Sequence, residues 1–151
     1  MRIYPTVIIK DTALYDMWKA GKYFAHTVED AVDYCTAIVP LFEAAGIDII
    51  RIGLNPTDDL SSGEAAGGAY HPALGELVRS RIMLDRMRRI LNEVPEGSRA
   101  VIYGPKNRIS QMTGQHRQNI EILKAEYGLE SIRIIPLEDG EIRAETEEKQ
   151  Q

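Results

Sequence analysis

Ile3-Tyr4-Pro5-Thr6-Val7-Ile8-Ile9 opens the chain with an apolar, β-branched run that lacks the in–out alternation of a half-exposed strand. A run of this kind predicts a strand covered on both faces, as in parallel sheets. Pro5 has no N–H to give to a ladder, so it belongs at a strand start, an edge or a bulge. Only Met1 and Arg2 precede the run. An abrupt entry into a core strand is expected of a C-terminal piece of a larger enzyme, without a complete catalytic site of its own.

Outward from this strand, a short amphipathic helix is expected over residues 13–20, stopped by Gly21. Thr27 then caps a longer helix. Val28, Ala31, Val32, Cys35, Ile38, Val39 and Phe42 fall on one of its faces. Glu29 and Asp30 sit in the first turn, where the helix dipole favours negative charge. Pro40 predicts a kink or a restart, and Gly46 an end. Residues 47–54 read as a second strand, which makes a parallel, right-handed βαβ unit.

Residues 55–71 read as a polar, glycine-rich connection, long enough to be functional or mobile. Asp58 and Asp59 within it suit a turn better than acid–base chemistry. The longest helix is predicted over 72–94, with Leu77, Met83, Leu84, Met87, Ile90, Leu91 and Val94 as its buried stripe. Arg79 and Arg86 flank one side of that stripe, Arg81 and Arg88 the other. A strand over 99–103, a loop over 104–113, a helix over 114–127 and a strand over 131–136 follow, with a short strand at 141–143. The predicted class is α/β: βαβ units with a mixed, mainly parallel sheet. Residues 1–54 and 55–151 form the two expected regions, packed as one compact unit.

The 23 acidic and 18 basic residues give a net charge of −5, which argues against a nucleic-acid footprint over the whole surface. The single cysteine, Cys35, can form neither an internal disulfide nor a zinc or iron–sulfur site. Its usage fits a reducing cytoplasm. No stretch reaches the roughly 20 apolar residues that span a bilayer, so no membrane partner is expected.

His26, His71 and His116 are too far apart in sequence for a local metal motif. Gly104-Pro-Lys-Asn-Arg108 stands between a strand and a helix, where phosphate loops sit, but lacks the second glycine with Lys and Ser or Thr. The segment Ser110-Gln-Met-Thr-Gly-Gln-His-Arg-Gln-Asn119 gathers hydrogen-bonding side chains beyond a strand end, the place where open α/β sheets bind ligands. Capping and a solvated helix face are the alternative. The arginines of residues 79–89 either meet RNA phosphates or lie along the buried stripe and pair with acids.

The strings themselves carry a resemblance. Arg2-Ile-Tyr-Pro-Thr-Val-Ile-Ile-Lys-Asp-Thr-Ala-Leu-Tyr-Asp-Met-Trp-Lys-Ala-Gly-Lys-Tyr23 resembles radical S-adenosylmethionine (SAM) proteins of the Elongator catalytic-subunit family. Arg51-Ile-Gly-Leu-Asn-Pro-Thr57, Tyr70-His-Pro-Ala-Leu-Gly-Glu-Leu-Val78 and Gly114-Gln-His-Arg-Gln-Asn119 are similar to the shorter bacterial relatives, a class of oxidoreductases. The resemblance implies that residues 3–9 are the last strand of a radical SAM barrel and the rest its C-terminal extension. The family's C-x3-C-x2-C motif is absent, so the four-iron four-sulfur cluster and SAM chemistry belong to a parent protein and no catalytic residue is expected here. What remains is a rim, Ile9, Lys10 and Thr12, near the nucleoside end of SAM, or else an ordinary strand-to-helix capping turn. Arg51, His71, Gln111, Gln115, His116, Arg117 and Asn119 are the substrate-facing candidates.

Larger family members add an acetyltransferase domain and modify transfer-RNA wobble uridines. This chain departs from them after Gly97, with a small βαβ unit and no acyl-CoA loop, so acetyl transfer is not implied. The expected partners are the missing N-terminal barrel, an RNA substrate, and a second copy joined through the exposed edge at residues 3–9. The competing reading is a binding module for RNA or protein.

Overall fold

A computed structural model describes residues 1–55, 63–138 and 140–147. The chain forms two compact units, Met1–Val78 and Arg79–Gln151, and the division falls inside a long helix. The fold is mixed α/β.

In the first unit, the opening apolar run is two short strands rather than one. Strand β1 is Arg2–Ile3 and β2 is Val7–Ile9. Pro5 separates them because it offers no donor for a continuous ladder. The run is also not covered along its length: Ile8 is fully buried, while Ile3, Val7 and Ile9 are half-buried. Helix α1 (Ala13–Lys19) follows, then α2 (Val28–Ala44). Thr27 closes α2 with a reciprocal capping box. The Asp30 N–H donates to Thr27 Oγ1 at 3.1 Å, and the Thr27 N–H donates to Asp30 Oδ2 at 2.8 Å. Ala31, Val32, Cys35 and Val39 form its buried face, and the helix runs unbroken through Pro40.

Strand β3 is only Arg51–Ile52, parallel to β1 with Ile3 opposite Ile52. The parallel strand–helix–strand expectation therefore holds for the Arg2–Ile3 half alone. The other half, β2, runs antiparallel to β4 (Ala65–Gly68), a strand inside what reads as loop. Asp58 and Asp59 lie outside the described residues. Gly68 explains why β4 can pair there: at φ 89°, a Cβ on it would stand 2.7 Å from the Thr6 carbonyl oxygen. The backbones approach too closely for any other residue.

Helix α3 (Leu74–Leu91) opens in the first unit and continues into the second. In the second unit, β5 (Arg99–Pro105) is the centre of a three-stranded sheet. It is parallel to β6 (Ser131–Leu137) on one side and antiparallel to β7 (Arg143–Thr146) on the other. Between β5 and β6 come a 3-10 turn at Lys106–Arg108, α4 (Ile109–Thr113), a second turn at Gln115–Arg117 and α5 (Gln118–Glu126). The predicted helix over 114–127 thus starts late. Gly114, His116 and Arg117 all hold positive φ, which no right-handed helix accommodates.

Met83, Leu84, Met87 and Leu91 of α3 pack with Ala100 and Ile102 of β5, Met112 of α4, Ile120 and Leu123 of α5, and Ile132 of β6. Gly104 leaves the space that Met112 fills, since a Cβ there would lie 2.5 Å from the Met112 sulfur.

Candidate functional site

Ile9, Lys10 and Thr12 stand where β2 turns into α1. The Thr12 hydroxyl donates to the Ile9 carbonyl at 2.7 Å and accepts from the Tyr15 N–H at 3.2 Å. Its single proton is thereby committed to closing the turn. Asp11 takes the left-handed conformation at φ 60° to make the bend. The Lys10 N–H is fixed to the Glu64 carbonyl at 3.0 Å, while its side chain is exposed. Of the three rim candidates, only Lys10 offers an unengaged polar head to its surroundings.

Arg51 sits in β3, half-buried and in register with Arg2. His71 caps the start of α3: its Nδ1 accepts from the Ala73 N–H at 3.1 Å. The neutral ring then carries its proton on Nε2. These residues belong to the first unit, and Gln111, Gln115, His116, Arg117 and Asn119 to the second.

The polar segment 111–119 divides by direction. Asn119 is buried, and its Nδ2 donates to the Ser80 carbonyl at 3.1 Å, the Ser80 hydroxyl at 3.0 Å and the Gln111 carbonyl at 3.0 Å. Gly114 at φ 74° makes room for it, because a Cβ would come within 3.0 Å of the Asn119 amide. Gln111 accepts from the Arg108 guanidinium at 3.0 Å. Gln115, His116 and Arg117 point outward and are exposed. His116 at φ 49° and Arg117 at φ 63° are successive left-handed residues, an arrangement that costs about 1–3 kcal/mol per residue.

A cavity of about 530 Å³ opens in the second unit, lined by none of residues 111–119. Arg86, Arg89 and Arg108 supply its cationic wall, Met83, Ile90 and Ile142 its apolar surface, and Glu141 one carboxylate. The i, i+3 spacing of Arg86 and Arg89 is visible in the sequence. Their convergence with Arg108 and Glu141 needs tertiary contacts that local pattern does not encode.

The sequence profile of the radical SAM C-terminal domain matches residues 1–83. Elongator complex protein 3 of Schizosaccharomyces pombe is 39% identical over 78 residues, covering 51% of this chain and 14% of that protein. Elongator complex protein 3 of Homo sapiens is 37% identical over 41 residues, covering 27% of this chain and 8% of that protein. The tRNA uridine(34) acetyltransferase of Methanocaldococcus jannaschii is 40% identical over 43 residues, covering 26% and 8%. The chain thus matches a small part of the length of each of these relatives. No solved structure matches. With more than half of its length matched by the profile, this chain belongs to the radical SAM C-terminal domain family.

The family implies an iron–sulfur cluster and SAM in the parent enzyme. The residues here do not fit such a cluster, which is held by cysteine thiolates. The chain has one thiol, Cys35, buried in α2, and burial pushes its pKa up, away from the thiolate. Among the described residues no group of three His, Cys, Asp or Glu side chains could hold a metal. No helix among them is long and apolar enough to cross a membrane.

Proposed function

We propose that this chain is the region that closes the barrel mouth of a radical SAM oxidoreductase, docking on the cluster-bearing barrel and presenting substrate to it in a reducing cytoplasm. One observation carries the reading. Every large apolar side chain that is exposed among the described residues falls within the first fifty residues, including Phe24 at 86%, Leu41 at 69% and Ile50 at 67%. Apolar exposure confined to the first unit supports the reading that this unit, and not the second, is the one to be covered. The two-residue parallel pair β1–β3 points the same way, because parallel strands are ordinarily parts of larger buried sheets.

The test begins with the coding sequence upstream of Met1, where an in-frame C-x3-C-x2-C motif is expected. The barrel segment so identified is then co-expressed with the chain, and co-purification and SAM cleavage are measured. Phe24→Asp and Leu41→Asp are expected to weaken co-purification while leaving the melting temperature of the chain almost unchanged, as exposed sites do. A strictly homodimeric chain that never captures a barrel, and whose dimer these variants break, overturns the reading in favour of self-association.

RNA is the substrate class we propose for presentation. Its support is the name of the M. jannaschii relative, a tRNA uridine(34) acetyltransferase, and the outward Gln115, His116 and Arg117. Transfer-RNA affinity should fall steeply as salt rises, and no binding at low salt removes RNA from the account.

A further inference from the structure

The cavity of the second unit carries a separate inference, independent of the barrel reading. Its charges are unusual for this protein. Acids outnumber bases by five, and several other arginines of this unit are paired: Arg88 with Asp85 and Glu126, Arg99 with Glu130, Arg133 with Glu147. Arg86 and Arg89 have no acidic partner among the described residues, though both project from α3 into the same cavity. Arg108, on the turn after β5, is held by a neutral group, the Gln111 amide oxygen. Its charge is oriented without being neutralised.

Among its described lining residues, three guanidiniums and one carboxylate give an excess of two positive charges. Pro105, the last residue of β5, lines it, so it lies beyond the carboxyl end of the parallel pair β5–β6, where α/β sheets bind ligands. Its volume is that of a small-molecule site, and its apolar patch can receive a ligand body.

We propose that this cavity binds a small phosphate monoester. Arg86, Arg89 and Arg108 hold the phosphate, Met83, Ile90 and Ile142 contact the body of the molecule, and Glu141 accepts from a hydroxyl on it. A monoester carries nearly two negative charges at neutral pH, which matches the excess of the lining. A phosphodiester strand brings one charge per phosphate and extends past the walls. Guanidinium forks suit phosphate oxygens better than point charges do.

The experiment follows the arginine Nε–H resonances of the whole ¹⁵N-labelled chain. Phenyl phosphate, inorganic phosphate, phenol and a short single-stranded RNA are titrated separately. Arg86, Arg89 and Arg108 are expected to shift together and saturably with phenyl phosphate. Affinity should be at least about tenfold above that for inorganic phosphate, a difference of about 1.4 kcal/mol from the apolar contacts. Phenol alone should leave all three resonances in place. Arg89→Gln should lose at least about tenfold in phenyl phosphate affinity with an unchanged melting temperature in the absence of ligand.

The proposal is overturned if the three resonances do not move with either phosphate. Equal affinity for phenyl and inorganic phosphate also overturns it, as does RNA displacing phenyl phosphate from these arginines at lower concentration.

Discussion

The side-chain amide of Asn119 reaches from the first turn of α5 to Ser80 on α3, donating to its carbonyl at 3.1 Å and its hydroxyl at 3.0 Å. The same nitrogen holds the Gln111 carbonyl. One buried amide thus joins α3, α4 and α5. Asn119→Ala should cost about 1–3 kcal/mol by leaving buried acceptors without a donor. Asn119→Asp should be worse, since it turns a carboxylate toward the Ser80 and Gln111 carbonyl oxygens, which can only accept. Urea unfolding measures both, and an Asp variant as stable as the Ala variant contradicts this account.

Gly68 is the contact point of β2 and β4. Gly68→Ala should destabilise by more than Gly46→Ala. Both glycines have positive φ, 89° and 72°, but only Gly68 faces backbone atoms at 2.7 Å. The shared conformational strain is about 1–3 kcal/mol, and the difference between the variants reads the collision with Thr6. Equal melting temperatures would remove the collision from the account.

Asp30 carries the pH dependence of α2. The Thr27 backbone N–H and then its hydroxyl hold the Asp30 carboxyl below its ordinary value. A depressed folded-state pKa contributes stability that is full above the unfolded value near 3.8 and lost as pH falls through the folded one. Amide exchange in the first turn of α2 should accelerate as pH falls from 5 toward about 3, relative to its intrinsic rate. Asp30→Asn should flatten that profile. A wild-type profile identical to that of the variant excludes the carboxylate as its cause.

The purified chain should take up no stoichiometric iron–sulfur cluster after anaerobic reconstitution. Cys35 is buried at 2% exposure, and no second cysteine exists to share a cluster. Iron and sulfide analysis with visible absorbance decides the matter, and a cluster bound one per chain would sink the assignment of the chemistry to a separate barrel.

Features set by neighbours in sequence were legible. Thr27 and Asp30 sit three residues apart and need nothing distant to form their box. Met83, Leu84, Met87 and Leu91 of the α3 stripe follow from spacing alone, whereas Leu77, Ile90 and Val94 are only half-buried and Leu74, Val78 and Ile82 are buried in addition. Features set by distant pairing were not. Ala65-Ala-Gly-Gly68 has little intrinsic tendency to extend, and becomes a strand only because β2 presents a ladder to glycines that can come close. Residues 3–9 have every local mark of one strand, yet Pro5 and two different partners divide them.

At the candidate site, the polar character of residues 111–119 was readable, but not its division into an inward Asn119 and an outward Gln115, His116 and Arg117. Gly114 was the available signal, because a glycine before a polar helix start often admits a side chain folded back beneath it. Arg86, Arg89 and Arg108 were individually visible, whereas the common cavity depends on how α3 meets the end of β5.

Cys35 has one more consequence. Because it is the only thiol and lies buried in the first unit, a thiol-reactive dye can label the native chain only when α2 opens. The labelling rate then works as a stopwatch for that unit alone. Comparing it with the global unfolding rate tells whether the first half of the chain breathes on its own or waits for the second.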